Sequence, residues 1–134
     1  INLLDKPVIL RLGGIDVSEI EKILKKKILI KKNLKKKIAP GQFSLHYSPG
    51  IPLRMNVKKP KKNEAFILIK NRKISNKNYY YLSKTNDLKQ SARNLYSLLR
   101  KIKNDGYKMI AVEKILNKGI GRTINDRLNR ASKY

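Results

Sequence analysis

The chain has 134 residues, 40% of them hydrophobic, which is enough to bury the core of one ordinary domain and argues against wholesale disorder. It has no cysteine and one histidine, so disulfides and thiolate chemistry are excluded. Its 33 basic and 9 acidic residues give a net charge of +24, which predicts attraction to nucleic acid, nucleotides or anionic lipid. Most of the excess is lysine, accompanied by many asparagines and isoleucines. This composition is typical of an A/T-rich coding bias, so we interpret most of the charge as a solvated surface. The charge alone does not establish a role in nucleic-acid binding.

The N-terminal part predicts a strand followed by a helix. The apolar run Pro7 to Leu12 predicts a strand that ends at the turn Gly13-Gly14, with Arg11 near its exit. Asp16 is the predicted N-cap of the helix, with Glu19 completing a capping box and Ile15 packing against Ile20 as a hydrophobic staple. The side chains expected on the inward helix face are Ile20, Ile23 and Leu24.

Two unusual stretches follow this helix. Lys25 to Lys37 mixes lysines with isoleucine and leucine, which favours an edge strand protected by lysine over a basic patch. Ala39 to Gly50 is bracketed by two Pro-Gly pairs and is poor in charge. Proline and glycine exclude a long helix or central strand there. We therefore expect an ordered linker, which carries His46 and Tyr47.

Four further strands are expected after the linker. Leu53 to Val57 alternates apolar and polar residues, as a half-buried strand does, and Ala65 to Lys70 is a continuous apolar run typical of a strand covered on both faces. Tyr79 to Leu82 predicts a strand in which Tyr80 points away from Tyr79 and Tyr81, with hydroxyls in contact with water. Met109 to Val112 predicts another buried strand.

Two helices accompany these strands. The longer is expected over Asp87 to Asn104, capped by Thr85 or Asn86, and its apolar stripe consists of Leu88, Ala92, Leu95, Leu99 and Ile102. The second is expected over Arg122 to Ser132 after Gly119-Ile120-Gly121. Its inward residues are Ile124, Leu128 and Ala131, and its outward residues are Arg122, Asp126, Arg127 and Arg130.

This order of elements predicts an α/β fold with a small, largely parallel sheet and flanking helices. With one histidine, no cysteine and scattered acidic residues, the sequence offers no candidate metal site and no nucleophilic or paired-carboxylate machinery. What remains is anion and nucleotide contact by Arg11 at its glycine turn and by the His46-Tyr47 pair. No apolar run reaches the length of a membrane span and no signal peptide is recognisable, so we expect a cytoplasmic protein without membrane contact.

Three stretches resemble one family, the two-domain L-threonylcarbamoyladenylate synthases. Val-Ile-Leu-Arg-Leu-Gly-Gly-Ile-Asp and the Glu-Ile-Glu-Lys-Ile-Leu helix are similar to the end of the catalytic domain. Ala-Pro-Gly-Gln-Phe-Ser-Leu-His-Tyr-Ser-Pro resembles the interdomain linker. Ser-Ala-Arg-Asn-Leu-Tyr-Ser-Leu-Leu-Arg and Gly-Ile-Gly-Arg-Thr-Ile-Asn-Asp-Arg-Leu-Asn-Arg-Ala resemble two helices of the C-terminal domain.

The resemblance implies three regions. Residues 1–34 would be the end of a catalytic domain, residues 35–52 the linker, and residues 53–134 a Rossmann-like C-terminal domain. The rest of the catalytic domain is expected to precede residue 1, so that this chain alone would be inactive. Arg11 and Tyr47 match nucleotide-contacting residues of the family, and His46 matches a supporting neighbour. Leu12 stands where the family usually has proline, while Ala39 and Ser48 replace serine and alanine.

The implied reaction converts threonine, bicarbonate and ATP into threonylcarbamoyl-AMP and pyrophosphate. ATP is thus the implied substrate, with Mg²⁺ accompanying it in the complete enzyme. The implied partners are the N-terminal catalytic domain and the machinery that transfers the threonylcarbamoyl group to tRNA, with direct tRNA contact left open. The alternative function is a stand-alone basic α/β module that binds RNA, suggested by the net charge and the Tyr79–Tyr81 run.

Overall fold

The computed structural model describes residue 1 and residues 6–31 and 48–133. The elements in these segments are, in chain order, β1 (Val8–Ile9), α1 (Val17–Leu24), β2 (Leu29–Ile30), β3 (Leu53–Arg54), β4 (Ala65–Leu68), β5 (Tyr79–Tyr81), α2 (Leu88–Asn104), β6 (Ile110–Val112) and α3 (Ile120–Ala131). The predicted order of strands and helices is confirmed, although several strands are shorter than their apolar runs.

The first three elements form a small strand–helix–strand arm. Strands β1 and β2 pair in parallel, and a small core of Ile9, Val17 and Ile28 lies between them and α1. The predicted edge strand of the lysine-rich stretch is therefore present at β2, while residues 32–37 lie outside the described part of the chain. The predicted regions 1–34, 35–52 and 53–134 remain predictions.

The start of α1 follows its sequence signal, but its inward face is narrower than predicted. Asp16 is the N-cap, and its carboxylate accepts a hydrogen bond from the backbone N–H of Ser18 at 2.9 Å. Ile20 packs against the arm core. The predictions for Ile15, Ile23 and Leu24 are wrong, because these side chains are 61%, 80% and 36% exposed. An eight-residue helix over a two-stranded sheet has too little apolar surface beneath it to cover all three.

The main sheet contains four strands in the order β3-β6-β4-β5, and each neighbouring pair is parallel. Strand β4 is central and every one of its residues is buried, as its continuous apolar sequence predicted. Strand β3 is shorter than predicted because Asn56 has a positive φ of 59°, which ends the extended conformation. The chain is therefore an α/β protein with a parallel sheet, and the predicted fold class is confirmed.

Helices α2 and α3 pack against each other on one face of this sheet. The core that they share with the strands includes Ile67, Leu95, Leu99, Ile110 and Ile124, each almost completely buried. The opposite face carries a smaller cluster of Phe66, Leu68 and Ala111, against which Tyr79 and Tyr81 pack.

The alternation predicted for the tyrosine strand is confirmed, since Tyr80 points into the helix-covered core and its neighbours point the other way. The expectation of water-exposed hydroxyls is wrong for Tyr80, which is buried and whose hydroxyl donates to the Asp105 carboxylate at 2.7 Å. The Tyr81 hydroxyl donates to the backbone carbonyl of Ile74 at 3.1 Å at an exposed position. Burial and the bond to the Asp105 carboxylate both raise the pKa of Tyr80.

The boundaries of both long helices differ from the sequence prediction. Asp87, and not Thr85 or Asn86, is the N-cap of α2, because its side chain accepts from the N–H of Lys89 at 2.8 Å. Helix α3 begins at Ile120, two residues before the predicted start. Arg127 was predicted to point outward, yet its guanidinium donates to the carbonyl of Ala92 on α2 at 2.7 Å. No helix among the described residues is long and apolar enough to cross a membrane.

Candidate functional site

Arg11 lies in the turn that follows β1, two residues beyond the strand end, and its side chain is exposed. This turn continues through Gly13 and Gly14 to Asp16 at the start of α1. The sequence prediction that Arg11 leaves a strand at a glycine turn is confirmed. A guanidinium can form paired hydrogen bonds with a phosphate or carboxylate group, and contact of Arg11 with a nucleotide remains a prediction.

The same turn is attached to the N-terminal end of α3. The Thr123 hydroxyl, which is almost completely buried, donates to the backbone carbonyl of Gly13 at 2.8 Å. Gly119 has a φ of +56°, and a Cβ at that position would lie 2.7 Å from a carboxylate oxygen of Asp16. Glycine at 119 therefore allows the arm to approach α3 closely, and the Arg11 turn is held against the main domain.

This contact lies on the carboxyl side of the main sheet, since α3 follows β6. In open α/β sheets ligands usually bind outside the carboxyl ends of the strands. At this edge the Glu113 carboxylate accepts from the backbone N–H of Ile69 at 2.5 Å and from the guanidinium of Arg72 at 2.6 Å. Glu113 thus connects the ends of β6 and β4. Its oxygens already accept hydrogen bonds from the protein, so its role is structural.

Sequence reasoning missed Glu113, although a signal existed. The acidic side chain directly follows the buried run Ile110–Val112 in a chain with few acidic residues. A carboxylate placed immediately after a buried strand needs a partner at the sheet edge. Arg72, which follows β4, was the candidate for that partner.

A second missed pair lies at the opposite edge of the sheet. The Glu64 carboxylate is 1% exposed and accepts from the Arg54 guanidinium at 2.8 and 2.7 Å and from the N–H of Lys61 at 2.8 Å. The hydrogen bond from Arg54 is the main reason that the pKa of Glu64 is lowered below the ordinary value of 4.5. Nothing in the local sequence links these two residues, which come together through the pairing of β3 and β4 with β6.

The lowered pKa of Glu64 predicts a pH dependence of stability. A depressed carboxyl pKa stabilises the fold above the unfolded-state pKa, and this contribution is lost as the pH falls through the folded-state value. Replacing Arg54 with methionine should therefore destabilise the chain at pH 7 and much less at pH 3. Urea unfolding at both pH values measures the difference from the wild type.

The matched control for this experiment is Arg100→Met on α2. Titration of Glu64 should not change the effect of this substitution on stability. If the gap between wild type and Arg54→Met stays constant or widens toward acid, then Glu64 does not depend on Arg54 for its charge.

The other predicted site residues, His46 and Tyr47, lie outside the described residues, so their approach to Arg11 remains a prediction. Within the described segments no group of three histidine or acidic side chains is arranged to hold a metal ion. Of the predicted site residues, the structure describes Arg11, on a turn that is held against α3, and its contact with an anion remains a prediction.

Comparison with known proteins identifies the family. Residues 15–133 match the family described as threonylcarbamoyl-AMP synthase, C-terminal domain. The chain belongs to this family. The match covers most of the chain, including α1 and both helices of the main domain, so the resemblance seen in separate motifs extends across the described fold.

A curated relative belongs to the same kind of enzyme. The chain is 29% identical over 147 aligned positions to the threonylcarbamoyl-AMP synthase of Pyrococcus abyssi, covering 96% of this chain and 43% of the relative. The chain therefore spans less than half the length of the curated relative that it matches.

Two solved structures of P. abyssi Sua5 are similar to this chain in fold. The crystal structure of P. abyssi Sua5 complexed with L-threonine matches with a TM-score of 0.74 and 26% identity, covering 95% of this chain and 42% of that one. A variant of the same protein, with a histidine and the adjacent tyrosine replaced by alanine, matches with a TM-score of 0.61 and 23% identity over 95% of this chain and 39% of that one. The synthase C-terminal fold is thus shared with these structures.

Proposed function

We propose that this chain works as the C-terminal part of a threonylcarbamoyl-AMP synthase, together with a catalytic domain of the same enzyme. The complete enzyme would act as a nucleotidyltransferase that converts threonine, bicarbonate and ATP into threonylcarbamoyl-AMP and pyrophosphate in the cytoplasm. The observation that carries the proposal is the family match over residues 15–133. The match does not favour the alternative of a stand-alone RNA-binding module.

The physical role of this part would be to close over the bound nucleotide. Arg11 would contact the nucleotide from the arm, Tyr47 would contact it from the linker, and His46 would support Tyr47. The hydrogen bond between Thr123 and Gly13 supports this role, because it ties the Arg11 turn to the main domain. The main domain would therefore close over the nucleotide at the turn that carries Arg11. Such closure excludes water from a labile carbamoyl intermediate.

The substrates and partners follow from the same proposal. The P. abyssi structure was solved with L-threonine, which supports threonine as a substrate of the complete enzyme. We assign Mg²⁺ no ligand on this chain, since it would arrive with ATP. The product would be passed to the enzymes that transfer the threonylcarbamoyl group to tRNA.

The test uses a longer chain that contains the catalytic domain, or that domain supplied in trans. We expect pyrophosphate release that requires both threonine and bicarbonate. Arg11→Ala should weaken ATP binding by roughly 10- to 100-fold, because hydrogen bonds to charged groups contribute about 1.5–3 kcal/mol. Tyr47→Phe, which removes only the hydroxyl, should weaken it by a smaller factor of about 3 to 10. Isothermal titration with a non-hydrolysable ATP analogue measures both.

The control is Arg93→Ala, which removes an exposed arginine from α2 and should leave ATP affinity unchanged. Unchanged affinity in both Arg11→Ala and Tyr47→Phe would show that the site assignment is wrong even if pyrophosphate release is observed. Absence of threonine-dependent pyrophosphate release would contradict the proposed activity itself.

A further inference from the structure

A large cleft opens at the edge of the main sheet where β4, β5 and β6 begin. It has a volume of about 1130 Å³ and is lined by three segments, residues 59–63, 76–79 and 105–109. Each segment leads into one of these three neighbouring strands. Most of the lining residues are exposed, so the cleft is an open groove and not an enclosed cavity.

The lining of this cleft is strongly basic. It contains a single acidic residue, Asp105, and five lysines, which are Lys59, Lys61, Lys62, Lys77 and Lys108. Within the described segments, the side-chain amino groups of these lysines form no ion pair with a carboxylate. Several mutually repelling and uncompensated charges around one groove favour a polyanionic partner.

Asp105, the acidic residue of the lining, does not neutralise the positive charge of these lysines. The Asp105 carboxylate already accepts hydrogen bonds from the amino group of Lys101 and from the hydroxyl of Tyr80, both at 2.7 Å. Helix α2 ends beside the cleft, and the carbonyl end of a helix disfavours anions. Lys103 in the last turn of α2 offsets that effect, whereas the charge of Lys101 is paired with Asp105.

The uncharged part of the lining includes aromatic side chains and side-chain amides. Tyr79 and Tyr107 are partly exposed, and each ring is held edge-on by another aromatic ring, Phe66 at 5.5 Å and Tyr80 at 5.8 Å between centroids. Asn63 and Asn76 expose amides that can both donate and accept hydrogen bonds. Rings of this kind can stack on unpaired bases, and amides can bond to a ribose 2′-hydroxyl.

The shape and the type of charge restrict the partner. Pockets for small molecules usually have volumes of about 300–1,000 Å³ and mostly apolar walls. This cleft is slightly larger, is open to solvent and is lined by five lysines. Its cationic side chains are lysines, whose ammonium groups act as point charges and can line up along a chain of phosphates. Arginine, by contrast, binds one phosphate through two parallel hydrogen bonds. A flat membrane surface does not fit a groove between three loops.

We propose that this cleft binds a single strand of RNA, with backbone phosphates along the lysines and bases against Tyr79 and Tyr107. The site lies at the opposite edge of the sheet from the contact between the Arg11 turn and α3, so the inference does not depend on the proposed nucleotide site. It adds an RNA-binding surface to a domain of the synthase family.

The test measures fluorescence anisotropy of a labelled single-stranded RNA of about 12 nucleotides, titrated with the full 134-residue chain. The cleft variant combines Lys61→Glu, Lys62→Glu and Lys77→Glu. The control variant combines Lys84→Glu, Lys89→Glu and Lys114→Glu, which changes the net charge equally at exposed positions outside the cleft. We expect the cleft variant to weaken binding at least about 10-fold more than the control, and to reduce the salt slope by about 2.

Further outcomes decide the proposal. RNA should bind more tightly than DNA of the same sequence, and the wild-type complex should persist at physiological salt. Equal weakening by both triple variants, binding of DNA as tight as that of RNA, or loss of binding at physiological salt would each overturn the proposal. Circular dichroism melting checks the fold of every variant. If the glutamate variant unfolds, the same three positions are replaced by glutamine, with the same expectation.

Discussion

Gly121→Ala is expected to destabilise the chain by roughly 3 kcal/mol, at the upper end of the range for overpacking a well-packed interior. A Cβ at position 121 would lie 2.1 Å from the backbone carbonyl oxygen of Leu116. Because the obstructing atom belongs to the backbone, no side-chain rotation relieves the clash, and the start of α3 must move away from the preceding loop. Thermal unfolding followed by circular dichroism should show a melting temperature lower by about 10 °C.

The matched control is Gly14→Ala. A Cβ at position 14 would meet no atom within 4 Å, so this change should be neutral or slightly stabilising, by about 0.4–1 kcal/mol. Equal melting temperatures for Gly121→Ala and the wild type would show that α3 does not pack against the carbonyl of Leu116.

The second large effect is expected for Ile124→Ala in the middle of α3. This side chain is completely buried between α3, α2 and the sheet. Removing three carbon atoms there loses transfer free energy and leaves a cavity, so the free energy of unfolding should fall by about 2–5 kcal/mol. Urea unfolding should show a lower midpoint with an unchanged m-value.

Ile23→Ala provides the same chemical change at an exposed site. The sequence pattern put Ile23 on the inward face of α1, but the side chain is 80% exposed, so its truncation should change stability by less than about 0.5 kcal/mol. If Ile23→Ala is as destabilising as Ile124→Ala, then Ile23 is covered in the folded chain and its assignment as exposed is wrong.

The elements with strong local signals could be predicted from the sequence. The continuous apolar run of β4 and the apolar stripe of α2 each contain enough residues to define a period. The cap of α1 was also predicted, since the Asp16 carboxylate accepts from the backbone N–H of Ser18, only two residues away. These features depend on neighbouring residues, so the sequence contains all the information that specifies them.

Features that depend on packing between elements were predicted less well. Helix α3 begins at Ile120 because Gly121 fits closely against the preceding loop, which a pattern of glycines does not reveal. Ile15 and Ile23 satisfy the helical period, but whether they are buried depends on how much surface lies opposite them. Arg11 was correctly located in its turn, whereas the bond from Thr123 that anchors this turn joins residues 110 positions apart.

The sequence by itself determined the α/β class, the type and order of the elements and, through recognisable motifs, the synthase family to which the chain belongs. Only the tertiary structure decided the strand order β3-β6-β4-β5, the pairing of Glu64 with Arg54 and of Glu113 with Arg72, and the convergence of lysines from three loops on one cleft. The physical reason is that backbone conformation follows from adjacent residues, whereas charge pairing and cleft formation follow from which distant segments the parallel strands bring together.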